Sequence, residues 1–145
     1  MPEGVAAVYA ALPREGHPMD WLSVGMHTLG MAETTGDWLE DALNLVARMP
    51  RVMGLLFRYR EGRSEGIPAD DLSLGLVDRF VATLDPEGVD RSVMREVLNA
   101  YLVLHLDHGG GNLSTFTGKA TASGKATLYA SMASAMNSLS GPLHG

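Results

Sequence analysis

The residues best suited to chemistry in this chain are histidines, and three of its five stand in distinctive surroundings. His105 and His108 flank Leu-Asp, directly before three consecutive glycines and Asn112. His144 follows Gly-Pro-Leu at a turn near residue 145. A neutral imidazole can donate a hydrogen bond and can exchange a proton near neutral pH. These three histidines are therefore the candidates for a reactive site.

The glycines at positions 109–111 lead into a predicted helix N-terminus. Asn112 is predicted to cap that helix, which leaves the backbone N–H groups of Leu113 and Ser114 available as donors. Such donors, together with the helix dipole, suit a bound carboxylate or phosphate. The same sequence also makes an ordinary connector between two helices, and both interpretations remain open at this point.

A metal site is not predicted. His105 and His108 are three positions apart and Asp107 is near, but Asp107 points away from their shared helical face and no second ligand cluster follows. The chain has no cysteine, which excludes disulfides, thiolate metal sites and a cysteine nucleophile. No cofactor is expected. His17, beside a proline, and His27, inside a helical pattern, are interpreted as structural residues.

The elements that must position the candidate residues are predicted to be helices, because apolar residues recur every three to four positions. No alternating β-branched run bounded by turns occurs, so the predicted fold class is all-α. Helices are expected over residues 2–12, 20–35, 36–58, 72–84 and 90–104, followed by a region rich in Ala, Ser, Thr and Gly. A kink or a break is expected just before Pro50. Two apolar stripes are predicted to be buried: Trp38, Leu39, Leu43, Val46, Val52, Met53 and Leu56 in one helix, and Val93, Val97, Leu98, Tyr101, Leu102 and Leu104 in another.

Composition limits the possible partners. The chain is 46% apolar and 19% charged with a net charge of −6, which is typical of a folded protein and argues against nucleic acid or an acidic membrane as partner. No apolar run approaches the roughly 20 residues of a membrane-spanning helix, so a soluble protein is expected. The absence of cysteine is compatible with a reducing cytoplasm, and the expected location is cytoplasmic. Arg58, Arg60 and Arg63 could contact phosphates, but a solvated loop is favoured.

Two blocks of the sequence resemble the citrate synthase family. The run Leu104-His-Leu-Asp-His-Gly-Gly-Gly-Asn-Leu-Ser-Thr-Phe-Thr117 is similar to the family segment with two histidines around an aspartate, followed by Gly-Asn-x-Ser. The tail Ser138-Leu-Ser-Gly-Pro-Leu-His-Gly145 resembles a second family signature at a matching spacing. Upstream segments at 12–19, 47–50 and 57–62 also resemble the family in the same order. The triple glycine departs slightly from the usual acidic residue after the second histidine.

This resemblance implies a multi-helical fragment, residues 1–145, of the large helical domain, with the small domain absent. It implies a homodimeric acyltransferase of the tricarboxylic acid cycle that condenses acetyl-CoA with oxaloacetate and water to citrate and CoA. The family's catalytic aspartate and the arginines that hold oxaloacetate would follow Gly145. The chain by itself is therefore expected to be inactive.

The resemblance also implies roles for individual residues. His108 would bind oxaloacetate and take part in catalysis, and Asn112 would help to form the substrate pocket. His144 would donate a hydrogen bond to the thioester oxygen of acetyl-CoA and stabilise the enolate. Ser114 and His105 would support the site, with Ser114 close enough to His144 to fix its ring. His108 and His144 are expected to face one cleft.

Other functions remain open from the sequence. A 2-methylcitrate synthase would use propionyl-CoA on the same scaffold, and a citryl-CoA lyase would cleave the related thioester. A helical dimerisation or binding module without catalysis is the alternative from another class.

Overall fold

The computed structural model describes residues 3–107 and 109–145. Within that part the chain forms seven α-helices and no β-strand, which confirms the all-α prediction. The helices are α1 (Glu3–Ala11), α2 (Pro18–Glu33), α3 (Trp38–Arg60), α4 (Leu76–Leu84), α5 (Arg91–Leu104), α6 (Leu113–Ser123) and α7 (Leu128–Leu139). None of the described helices is long and apolar enough to cross a bilayer.

Short polar side chains begin most of these helices. Asp37 and Asp90 accept hydrogen bonds from backbone N–H groups in the first turns of α3 and α5, as N-caps do. α2 begins at Pro18 rather than at residue 20 as predicted, and His17 is its N-cap. The Nδ1 atom of His17 accepts from the Met19 N–H at 3.2 Å, and Pro18 occupies the first helical position. His17 thus has the structural role expected of it.

Helix α3 continues through Pro50, so of the predicted kink or break the break is wrong. Proline removes one backbone donor and costs about 3 kcal/mol inside a helix. The residues that follow compensate for this cost, because Val52, Leu55 and Leu56 are each no more than 2% exposed. Burial of these side chains stabilises the helix beyond Pro50.

The hydrophobic core lies between α1, α2, α3 and α7. Its buried members are Val5, Tyr9, Trp21, Leu22, Met26, Leu29, Leu45, Val52, Leu55, Leu56, Tyr129 and Ala133. α2 and α7 approach closely at Gly30, where an added Cβ would lie 2.6 Å from the Cβ of Tyr129. Only glycine at position 30 allows α2 and α7 to approach so closely. This close contact packs α7 against the core.

The two stripes predicted to be buried behave differently. In α3, Val52 and Leu56 of the predicted stripe are in the core. The part of the stripe before Pro50 is exposed: Trp38 is 73% exposed, and Leu39, Leu43 and Val46 are exposed as well. In α5 no residue is buried, and its apolar face is open to solvent. α5 packs only against α4 among the described helices, and α4 is too short to cover it.

Two further predictions differ from the structure in the middle of the chain. α4 begins at Leu76 rather than Leu72, because the Asp71 carboxylate accepts from the N–H and hydroxyl of Ser73 and holds a turn there. The Arg58 guanidinium is buried instead of lying in a solvated loop. It donates to the carbonyl oxygens of Arg63 and Glu65 at 3.0 and 2.7 Å, and so closes the loop after α3.

Candidate functional site

The candidate site is formed by the two arms of a helical hairpin and the turn that follows it. α6 and α7 are joined by a short connection in which Lys125 takes a left-handed conformation with φ of 61°. The two helices pack along each other, and α6 contacts no other helix in the described part of the chain. After α7, residues 140–145 turn back towards the start of α6. This path brings the two sequence blocks together.

Asn112 organises the first end of the site. Its Oδ1 accepts from the Thr115 N–H at 2.9 Å and from the Ser114 hydroxyl at 2.8 Å, which makes it the predicted N-cap of α6. Its Nδ2 donates to the Gly109 carbonyl oxygen at 3.0 Å. One side chain therefore ties the glycine turn to the first turn of α6. Ser114 is the one buried residue of this helix.

His144 meets this helix end directly. The backbone N–H of Ser114 donates to Nε2 of His144 at 3.1 Å, across 30 positions of sequence. The predicted proximity of Ser114 and His144 is confirmed. The imidazole is half-buried rather than a freely solvated ring beside a turn.

The contact fixes the chemistry of the imidazole. An Nε2 atom that accepts a hydrogen bond carries no proton, so the neutral ring must carry its proton on Nδ1. Nδ1 is then the donor nitrogen. The ring is held by the backbone N–H of Ser114, whose direction is fixed by the helix. The contact also bears on an alternative that the sequence left open, because the Ser114 N–H is bonded to His144 and is not available to an anion.

The turn that carries His144 is held by backbone contacts. The carbonyl oxygen of Gly141 accepts from the N–H groups of His144 and Gly145, at 3.1 and 3.0 Å. The backbone of Gly145 passes so close to α7 that an added Cβ would lie 2.0 Å from the carbonyl oxygen of Leu139. The sequence Gly-Pro-Leu-His-Gly therefore forms a tight turn after α7, and this turn orients the His144 imidazole towards the start of α6.

The remaining predicted site residues have different positions. His105 ends α5, where its Nδ1 donates to the Tyr101 carbonyl oxygen at 2.7 Å and its ring stacks on that of Tyr101 at 4.0 Å. It is exposed, and no hydrogen bond joins it to Ser114 or His144. His108 lies outside the described residues, so its predicted position facing His144 stays a prediction. Its role and those of His105, Asn112, Ser114 and His144 stay predictions as well.

One feature was absent from the sequence-based prediction. The hydroxyls of Thr121, near the C-terminal end of α6, and Ser134, in the middle of α7, are hydrogen-bonded at 2.9 Å and link the two helices. In a segment where most residues are Ala, Ser, Thr or Gly, nothing in the sequence singles out this pair. Among the described residues no group of three or more His, Asp or Glu side chains is placed to hold a metal ion.

Known proteins share this arrangement over the whole length of the chain. The family model for the citrate synthase C-terminal domain matches residues 1–145. The chain belongs to the citrate synthase family. The mitochondrial citrate synthase of Daucus carota is 34% identical over all of this chain, and citrate synthase 5 of Arabidopsis thaliana is 38% identical over 93% of it. The crystal structure of citrate synthase from Pyrobaculum aerophilum matches 97% of the chain with a TM-score of 0.78 and 27% identity.

The match covers only part of each relative. The chain spans 33% of the Daucus protein and 38% of the Pyrobaculum chain, so it corresponds to part of a citrate synthase. The expected cytoplasmic location is wrong, because the plant relatives and the probable citrate synthase of Leishmania infantum are named as mitochondrial. The absence of cysteine misled that prediction, since it is compatible with any compartment.

Proposed function

We propose that the complete protein condenses acetyl-CoA with oxaloacetate and water to give citrate and CoA, in the tricarboxylic acid cycle, and that this chain supplies part of its active site. The observation that supports the proposal most is the hydrogen bond from the Ser114 N–H to Nε2 of His144. It leaves Nδ1 as a donor of defined direction. The relatives named as mitochondrial support a mitochondrial location for the complete protein.

The role proposed for His144 follows from what this condensation requires. When the methyl group of acetyl-CoA loses a proton, negative charge develops on the thioester oxygen. A donor placed there in advance stabilises that charge without reorganising during the reaction. A neutral imidazole suits this task because it donates from Nδ1 and keeps its proton. The backbone contact at Nε2 holds the ring so that Nδ1 points in one direction.

The other residues have supporting roles in the proposal. Asn112 holds the glycine turn and α6 together and thereby positions the Ser114 N–H. His108 binds oxaloacetate next to the same helix end, and His105 supports the end of α5. The resemblance to the family assigns removal of the methyl proton to an aspartate outside residues 1–145. No cofactor is proposed, because acetyl-CoA is a substrate.

A homodimer is proposed on the basis of the outer surface of the α6–α7 hairpin. The two helices leave an open, largely apolar groove between them, lined by residues such as Gly118, Ala122 and Met132. Small side chains of this kind let a further pair of helices approach closely. The proposed occupant in the complete enzyme is the same hairpin of a second copy.

The test of the proposed function is a substitution of His144 in the complete polypeptide. His144→Ala is expected to lower kcat for CoA release by at least about 100-fold, because loss of one oxyanion donor typically has this effect. The matched control is His27→Ala, which removes an exposed imidazole from α2 and should leave kcat unchanged. Equal activity of the His144 variant and the control would refute the role of His144.

The same assay separates the other acyl-CoA reactions. Faster turnover with propionyl-CoA than with acetyl-CoA would indicate a 2-methylcitrate synthase, and cleavage of citryl-CoA would indicate a lyase. The 145-residue chain alone is expected to release no CoA, because its general base is missing. Turnover by the isolated chain that His144→Ala abolishes would contradict that expectation.

A further inference from the structure

We propose that the Thr121–Ser134 hydroxyl pair is a positioning device for His144, which holds α6 in the register along α7 that lets the Ser114 N–H reach the imidazole. This inference concerns the same site and rests on the proposed function only for its catalytic consequence. The structural part can be tested in this chain without any activity.

The first step in the argument is that one arm of the hairpin is fixed and the other is not. α7 is seated on the core, with Tyr129 and Ala133 at 1% and 0% exposure and with the close crossing at Gly30. α6 contacts only α7 among the described helices, and Ser114 is its one buried residue. α6 can therefore move along α7 without disturbing the core.

The second step is that packing alone defines the position of α6 poorly. The surface that α6 shares with α7 consists mainly of small side chains such as Gly118, Ser131 and Ala135, which form shallow ridges. Large side chains normally lock two helices together by fitting ridges into grooves. A shallow interface resists axial sliding weakly, so a directional contact is needed to select one register.

The third step is that the Thr121–Ser134 pair provides that directional contact. The two oxygens lie 2.9 Å apart, and both residues are partly buried. A slip of one residue moves α6 by about 1.5 Å along its axis, which stretches a hydrogen bond of this length beyond the usual O–H···O range of about 2.5–3.0 Å and weakens it. The same slip would move the Ser114 N–H away from Nε2 of His144, now 3.1 Å distant. The two contacts therefore hold or fail together.

The experiment compares two test variants with two matched controls. Thr121→Val and Ser134→Ala each remove one hydroxyl of the pair. Thr121→Val also removes a bond from that hydroxyl to the Thr117 carbonyl oxygen of the same helix, at 2.9 Å, which the controls below account for. Thr117→Val and Ser138→Ala remove hydroxyls of the same types, which donate to carbonyl oxygens of their own helices, those of Leu113 and Ala135. Thr117 is nearer in sequence to Ser114 than Thr121 is, and Ser138 is nearer to His144 than Ser134 is. If proximity in sequence alone mattered, the controls would therefore disturb the Ser114–His144 contact more than the test variants.

The readout is the protonation pattern of the His144 ring, measured as ¹⁵N resonances by magic-angle-spinning NMR of the sedimented chain. This method does not require a monomeric solution. His144→Gln assigns the ring signals by their loss. The wild-type chain should show an unprotonated Nε2 coupled to the Ser114 amide, and a protonated Nδ1.

The expected result is loss of the Ser114–Nε2 coupling and the appearance of protonated Nε2 in Thr121→Val and in Ser134→Ala. Both controls should keep the wild-type signals, and Thr121→Ser, which retains a hydroxyl, should restore them. The double variant Thr121→Val with Ser134→Ala should be no worse than either single one, because both remove the same interaction.

Three outcomes would overturn the inference in distinguishable ways. If the wild-type coupling is present and persists in both test variants, the positioning role fails and the proposed function is unaffected. If the wild-type chain itself lacks the coupling, the contact on which the proposed function depends fails as well. Equal losses in the test variants and the controls would also refute the specific role of this pair.

Discussion

Helices α5 and α7 have similar lengths, 14 and 12 residues, but they lie in opposite environments. α7 buries Tyr129, Ser131, Ala133 and Ala135 against α2, α3 and α6. α5 is the more amphipathic of the two helices, yet none of its residues is buried. Its Val97, Tyr101 and Leu104 are between 55% and 79% exposed.

The different burial of α5 and α7 shows that an apolar helix face favours packing against another element, but that the face alone does not determine whether such an element is present. α7 is buried because Gly30 of α2 offers a gap that fits Tyr129 closely. α5 meets only the nine-residue helix α4 within the described chain. Since the relatives are about three times longer than this chain, we expect the open face of α5 to be covered in the complete protein. The following predictions test this contrast between the buried and the open region.

The largest effect on stability is expected from the ion pair between the buried Arg79 of α4 and the partly buried Asp70. Arg79 donates to both carboxylate oxygens of Asp70, at 3.0 and 2.8 Å, and to the Ala47 carbonyl oxygen at 2.9 Å. Arg79→Ala should lower the free energy of unfolding by about 4 kcal/mol, because it removes a buried guanidinium with these hydrogen bonds and leaves the Asp70 carboxylate without this partner. Urea unfolding followed by circular dichroism measures the change.

The matched control for this pair lies at the open side of α4. Arg95 of α5 is 3.7 Å from Asp78 of α4, and both side chains are nearly half exposed. Arg95→Ala should change the free energy of unfolding by less than about 0.5 kcal/mol, as exposed pairs do. Similar losses in the two variants would show that the two regions do not differ as described.

A second, smaller difference in unfolding free energy is expected between two leucine substitutions within α3. Leu55 is 1% exposed in the core, whereas Leu43 in the same helix is 64% exposed. Leu55→Ala should cost about 3 kcal/mol of unfolding free energy through lost burial and a cavity. Leu43→Ala should change it by less than about 0.5 kcal/mol at low protein concentration. A large cost at Leu43 would mean that the first half of α3 is covered in solution.

The open face of α5 should make the isolated chain self-associate. Val97→Asp places a charge in the middle of this face and should weaken association about tenfold, which corresponds to about 1.4 kcal/mol. Asn99→Asp adds the same charge on the exposed surface of α5 and serves as the control. Sedimentation velocity over a concentration series measures both variants. A stable monomeric wild type would contradict the prediction.

The smallest effect is expected at the α2–α3 junction, where Asp41 is buried. Its carboxylate accepts from the Thr35 N–H at 2.8 Å and from the hydroxyls of Thr34 and Thr35, both at 2.9 Å. These hydrogen bonds, with that from the Thr35 backbone the largest, hold the pKa of Asp41 below its usual value. A lowered pKa in the folded state stabilises the protein above about pH 4, and the contribution is lost as the pH falls through the folded value.

Asp41→Asn should therefore be less stable than the wild type at pH 7, and the difference should shrink as the pH falls below about 4. Thermal unfolding at a series of pH values measures it. Glu40→Gln, at an exposed neighbouring position, should show no such convergence. A constant difference between Asp41→Asn and the wild type at all pH values would exclude the linkage.

Much of the local structure could be predicted from the sequence. Asn112 is the N-cap expected of it, because its side chain reaches the N–H group three positions ahead whatever surrounds the helix. The all-α fold class follows from a periodicity that each helix carries within itself. The continuation of α3 through Pro50 could not be predicted, since it depends on burial of residues beyond the proline.

The candidate site shows the same division. The sequence by itself determined which residues cap α6 and which histidines stand beside glycine turns, because those features depend on neighbours along the chain. Only the tertiary structure decided that the Ser114 N–H bonds to His144 rather than remaining available to an anion. It also decided that Thr121 faces Ser134 and that the apolar face of α5 stays open. These outcomes depend on how closely two helices approach and on what other helices are present, and periodicity along one segment carries no information about either.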